Sequence, residues 1–317
     1  MFTPLPNAFV LSETLVHARA AGSPVVALES AVITHGLPTP HNTALARDME
    51  AEVRAHGATP ATIALLEGKL HIGLTDAQLT ALGEMENVRK ISLRDFGIAL
   101  AGGLSGGTTV AATLFAASKA GIQVFATGGI GGVHRGAQSA PGRMVDISTD
   151  LVQLSRSQMV VVCAGAKAIL DLPATRELLE TLGVPVIGYQ TDEFPGFFTR
   201  TSGLPVDQRV DTPEAAAQIA LQAWEAGLQA AVLLVVPPPA ESALAGDAME
   251  AAIAEAVKEA EMAGVHGAAS TPYLLRRVSE LTGGESLQAN LDLLKNNARV
   301  AAQVARSMRG VIGTGTF

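Results

Sequence analysis

Residues 159–167, MVVVCAGAK, carry an apolar run from Met159 to Cys163 through Ala164, Gly165 and Ala166 to a lysine, Lys167. A short, continuously apolar run rich in β-branched residues reads as a strand buried on both faces. The same reading applies to 25–28, 62–65, 122–125, 184–188 and 231–236. Between several of these lie segments with helical periodicity, 40–56, 108–120, 173–182 and 213–226. Strand alternating with helix predicts an α/β protein with a largely parallel sheet covered on both faces. The last third changes character. After Pro237-Pro238-Pro239, the segments 247–263, 271–282 and 286–308 all read as helices, expected to close over the sheet rather than to stand apart.

The chain has 317 residues, 48% hydrophobic and 16% charged, which is the balance of a compact globular protein. Length allows one or two domains, and one domain over 1–317 is the expectation. A net charge of −8 and an aromatic content of 4% argue against binding to nucleic acid, which asks for basic patches and stacking platforms. The single cysteine, Cys163, excludes an internal disulfide and a cysteine-built zinc site. No apolar run approaches the roughly 18 residues needed to span a bilayer, and MFTPLPNAFV is not a secretory leader, so no membrane role and a cytoplasmic location are expected.

The strand ends carry the chemistry. Run 25–28 leads into Glu29-Ser30, 122–125 into Thr127-Gly128-Gly129, and 159–163 into Gly165 and Lys167. In an open α/β sheet, ligands bind outside the carboxyl ends of the strands, so these residues are expected to converge. Lys167 is one of six lysines against sixteen arginines. Beside an apolar strand its amine can act as a nucleophile toward a sugar carbon, giving a carbinolamine or Schiff base, or it can simply snorkel from a helix start. Glu29, next to a buried strand, suits a proton donor with a raised pKa; it equally suits a cap or an ion-paired acid.

Asp146 and Asp150, with Ser148 and Thr149 between them, form an all-oxygen set suited to Mg²⁺ or Mn²⁺, and the same residues before an apolar segment suit a helix N-cap. Glycine-rich stretches at 102–109 and 127–136 can offer backbone N–H groups to a phosphate. Neither is a Walker A loop, and the second departs from GxGxxG because His134 stands where the third glycine belongs. His134 and Arg135 add donors there, although a lone histidine also serves structure. Lys90 is a second candidate cation or a solvated charge between Arg89 and Arg94. Asn290 has an amide able to read a base edge, and it fits an ordinary helix as well.

LESAVITHGLP (28–38), KISLRDF (90–96), ATGGIGGVHRGA (126–137), VVCAGAKAILDLP (161–173), VPVIGYQTDEFPGFF (184–198) and STPYLLRRVSELTGGESLQANLDLLKNNA (270–298) occur in this order. Together they resemble the pseudouridine-5′-phosphate glycosidase family, over about residues 11–309. The resemblance implies an α/β/α sandwich, usually a homotrimer. It also implies reversible cleavage of the C–C glycosidic bond of pseudouridine 5′-phosphate to uracil and ribose 5-phosphate, with a divalent metal, typically Mn²⁺. By motif it implies Lys167 as nucleophile, Glu29 as proton donor, Lys90 as a substrate ligand and Asp146 as metal ligand. Val110, Ser148, Thr149 and Asp150 become substrate contacts, with His134 and Asn290 as further ones. Pro141-Gly142-Arg143-Met144 is a local variation just before Asp146. An aldolase-like Schiff-base enzyme and a non-catalytic sugar-phosphate sensor are the alternatives; the joint presence of Glu29, Lys90, Asp146 and Lys167 speaks against the sensor.

Overall fold

The computed structural model describes residues 5–135, 146–265, 267 and 270–314, with side chains as far as Arg309. The 141–144 variation and Gly136 lie outside the described residues. The strands are β1 (Phe9–Leu11), β2 (Val25–Leu28), β3 (Thr59–Leu66), β4 (Lys69–Ile72), β5 (Arg89–Ile91), β6 (Gly106–Thr108), β7 (Val124–Ala126), β8 (Val133–His134), β9 (Val160–Cys163), β10 (Leu170–Asp171), β11 (Val186–Tyr189), β12 (Gln208–Val210) and β13 (Val232–Val235). The main sheet runs β1-β4-β3-β2-β7-β9-β13-β11-β12, with β6 and β5 attached to β3. Antiparallel pairing within it is confined to β3 with β4 and β3 with β6. β8 and β10 form a separate small antiparallel pair. The expected largely parallel sheet is observed, and all four residues of β9 are buried.

Helices cover both faces. On one, α11 (Glu285–Thr314) lies against β2, β7 and β9 and against α2 (His41–Ala55) and α8 (Pro213–Glu225). On the other, α5 (Val110–Lys119) packs on β2, β3, β4 and β6 and on α6 (Thr149–Leu154). The helix starts have local causes: the hydroxyls of Thr109 and Ser148 accept backbone N–H groups that the first turns of α5 and α6 leave free. The C-terminal helices α9 (Gly246–Met262), α10 (Ser270–Leu281) and α11 correspond closely to the expected segments, α11 running six residues further. Among the described residues no helix is long and apolar enough to cross a membrane.

Register explains how the site is assembled. β3 pairs with β2 through Thr59 to Thr62; beyond the end of β2 its next residues, Ala64 and Leu65, pair with Gly107 and Gly106 of β6. β6 thus takes up the edge that β2 vacates, and it carries β5 beside it, with Lys90 opposite Gly107. Ser30 ties the junction, donating to Ile63 O at 2.5 Å and accepting from Thr108 N at 2.9 Å. Lys90 is thereby brought to the carboxyl end of β2, where Glu29 begins.

Candidate active site

The turns after β7 and β9 continue side by side. Ala164 N donates to Gly128 O at 2.8 Å, Ile130 N to Gly165 O and Lys167 N to Ile130 O at 3.0 Å each. Gly165 adopts φ +89°, and a Cβ there would meet Pro195 O at 2.5 Å, so the turn that aims Lys167 requires glycine. Arg135 reinforces it from outside: its guanidinium donates to Ala168 O and Leu170 O at 3.1 Å each and forms a two-pronged pair with Glu250. Arg135 therefore acts as a clamp on the lysine loop and is no donor to the cavity.

Glu29, Lys90, Val110, His134, Asp146, Ser148, Thr149, Asp150, Lys167 and Asn290 all line one cavity of about 270 Å³. It opens beside an outer recess of about 580 Å³, sharing with it His35, Gly36, Pro272, Leu275 and Asn290. Glu29 is 8% exposed, and the Thr127 hydroxyl donates to its Oε1. Burial pushes the Glu29 carboxyl up, partly opposed by the charge of Lys167, the Thr127 hydrogen bond and Lys90. Burial likewise pushes the Lys90 ammonium down, helped by Lys167 and opposed by Asp150 and Glu29. His134 is pushed down by burial, with Asp146 opposing; the site thus holds its imidazole toward the neutral form.

Asp150 faces the cavity with both oxygens engaged, Oδ1 accepting from Ala111 N at 2.8 Å and Oδ2 from Gly131 N at 2.9 Å. Its carboxylate ties the start of α5 to the glycine-rich turn after β7. Asp150→Ala leaves two buried N–H groups without acceptors and is expected to cost about 3 kcal/mol of stability, read as a lowered urea midpoint; an unchanged midpoint would refute this structural role. Asp95 does similar work for Lys90, accepting from Arg89 Nε and Nη2 and from Ser92 N at 2.8 to 3.0 Å.

Asp146 stands next to β8, its carbonyl accepting from His134 N at 3.0 Å. Among the described residues no three His, Cys, Asp or Glu side chains gather as a metal cage. A hydrated Mg²⁺ or Mn²⁺ asks for less, one or two carboxylates with water and substrate oxygens, and the exposed Asp146 on the cavity wall meets that requirement. Sequence reasoning assigned no role to His35, Arg94 or Phe197, which also line the cavity. His35 sits in a π-helical turn, Val32–Gly36, a local form that is frequent at functional sites. Its string, THG, was in view without a chemical pattern to mark it.

A buried acid and an amine that share one cavity at the carboxyl ends of the parallel strands β2 and β9, with β7 between them, form an enzyme site, and known relatives identify its kind. Residues 14–307 match the family described as indigoidine synthase A like protein. The pseudouridine-5′-phosphate glycosidase of Herpetosiphon aurantiacus is 54% identical over 300 residues, covering 93% of this chain and 96% of that protein. The pseudouridine-5′-phosphate glycosidase of Geobacillus kaustophilus is 50% identical over 299 residues, covering 94% and 98%. Among solved structures, the prealnumycin C-glycosynthase in complex with ribulose 5-phosphate superposes with a TM-score of 0.89 at 41% identity, over 98% of this chain and all of that one. An indigoidine synthase A-like protein from Thermotoga maritima gives 0.84 at 36% identity, over 96% and 98%. The protein is an enzyme of C-glycosyl bonds. The chain belongs to the indigoidine synthase A-like family, among its pseudouridine-5′-phosphate glycosidases.

Proposed function

We propose that the chain reversibly cleaves the C–C glycosidic bond of pseudouridine 5′-phosphate, releasing uracil and ribose 5-phosphate. The observation that carries this reading is the meeting of Glu29, held toward its protonated form by burial, with Lys167 in one cavity. An ordinary glycosidase protonates a departing heteroatom. A leaving carbon has no lone pair to protonate, and in this reading the acid acts first on the ribose ring oxygen.

Glu29 gives its proton to that oxygen as the Lys167 amine attacks C1′, and the ring opens. The nitrogen, having shed a proton to the ionised Glu29, pushes out the base: the C1′–C5 bond breaks, its electron pair enters the uracil ring, and C5 takes up a proton. Water hydrolyses the remaining imine, freeing ribose 5-phosphate and the amine. Lys90 and neutral His134 are placed to donate to substrate oxygens, and the buried amide of Asn290, whose Oδ1 has no partner, to read the edge of the base. A Mn²⁺ or other divalent ion held by Asp146, with Ser148 and Thr149 alongside, would supply charge neutralisation for the anionic substrate. A cytoplasmic homotrimer completes the proposal.

Uracil release from pseudouridine 5′-phosphate, followed with Mn²⁺ and with chelator, tests the reading; no release by folded, metal-loaded protein would end it. Asp146→Asn should weaken Mn²⁺ binding, read by electron paramagnetic resonance titration, at least about tenfold. Equal binding by both proteins would remove Asp146 from the metal site.

A further inference from the structure

The acid is held from behind by a line of buried polar groups. On α11, Asn297 is fully buried, and its Nδ2 donates to Thr127 O at 2.9 Å and to Gly128 O at 3.4 Å. Thr127, also fully buried, has its N–H fixed on Val162 O of β9 at 3.0 Å, and its hydroxyl donates to Glu29 Oε1. Among the described residues no hydrogen bond reaches Oε2 of Glu29. A protonated carboxyl accepts best at its carbonyl oxygen, so a hydroxyl donated to Oε1 favours the hydrogen on Oε2.

We propose that Thr127 is a positioning residue for the acid: its hydroxyl fixes Oε1 as the acceptor, so that the transferable proton rides on Oε2, and Asn297 holds Thr127 in place. The arrangement rests on the reading of Glu29 as proton donor and gives a role to the threonine that follows β7, the strand paired beside β2, ahead of Gly128 and Gly129. Without the hydroxyl, the carboxyl can rotate and place its proton on either oxygen, which slows the chemical step while leaving substrate contacts intact. Loss of the bond also removes a group that favours the ionised form.

Steady-state uracil release from pseudouridine 5′-phosphate over a range of pH is the test. Thr127→Val should lower kcat about 10- to 100-fold, change KM less than about twofold, and move the alkaline limb of the kcat profile to higher pH. Thr127→Ser, which keeps the hydroxyl, should restore wild-type behaviour, and Asn297→Leu should lower kcat without moving KM. A folded Thr127→Val enzyme with wild-type kcat and limb overturns the proposal. An infrared difference spectrum of wild type against Glu29→Gln answers independently of whether the valine variant folds. A carboxyl C=O band shifted down by an accepted hydrogen bond supports the proposal, and the band of a free carbonyl overturns it. If Glu29→Gln itself retains both activity and limb, the parent reading fails and this one with it. Wild-type behaviour of Thr127→Val alone removes only the positioning role.

Discussion

Lys167→Ala is expected to lower uracil release from pseudouridine 5′-phosphate by about 10⁴-fold or more, the scale on which removal of a covalent nucleophile acts. The loss should come without unfolding. Lys167 is half-buried, its loop is fixed by its own backbone N–H on Ile130 and by the Arg135 clamp, and its ammonium makes no ion pair among the described residues. Borohydride added during turnover should trap a sugar-phosphate adduct on Lys167 in wild type, seen by peptide mass spectrometry, and none in the variant. Turnover by the alanine variant within tenfold of wild type would rule out covalent catalysis by this lysine.

Glu29→Gln should lower kcat by about 10²- to 10⁴-fold, the range for a positioned general acid, and abolish the alkaline limb of the profile. Its effect on stability has the opposite sense. Burial raises the Glu29 carboxyl, so the folded chain holds that proton more tightly than the unfolded chain does. The stability this contributes is fully present below the ordinary carboxylate range and drains away as pH rises through the raised value. Glutamine stays neutral throughout, so the variant should gain on wild type in melting temperature on the alkaline side and match it more closely in acid. An alkaline melting temperature that falls below that of wild type would show that Glu29 is not held protonated by its surroundings.

The strands that build the middle of the sheet were readable because each is an unbroken apolar run, and the observed bounds fall within about three residues of the expected ones at 25–28, 159–163, 184–188 and 231–236. The run at 62–65 turned out to be the end of a longer strand, because Thr59-Pro60-Ala61 is not apolar enough to mark a strand locally. β5 and β6 escaped for a related reason. Gly106 and Gly107 have no strand preference of their own and become a strand because β3 runs past β2 and offers them its edge. A tertiary neighbour decides that pairing, and no local pattern records it.

The site divides in the same way. Glu29 and Lys167 stand at the ends of apolar runs, where a charged residue is conspicuous, whereas Lys90 and Asp146 took their roles from the family resemblance; all four line one cavity. Asn297 passed unnoticed and Thr127 was marked only as part of a strand-end turn, since threonine in a glycine-rich turn and asparagine in a helix are commonplace until their burial is seen. Arg135 misled in the other direction. A cation next to a glycine-rich turn suggests a phosphate donor, but its partners, Ala168 O, Leu170 O and Glu250, lie behind the lysine loop.

Asn290, Leu294 and Asn297 follow one another along a single face of α11: the first looks into the cavity, the second packs against the position of Gly128 and the third grips the same turn from beneath. Seven residues of helix set the first and last about 10 Å apart, and each added residue would rotate everything beyond it by about 100°. Leu293 and Leu294 between them are buried against the same turn, so both the residues and their number are constrained. The interval 290–297 is therefore a ruler, and a one-residue insertion or deletion inside it would swing either the base-facing amide or the grip on Thr127 out to solvent while leaving the amino-acid composition of the site untouched.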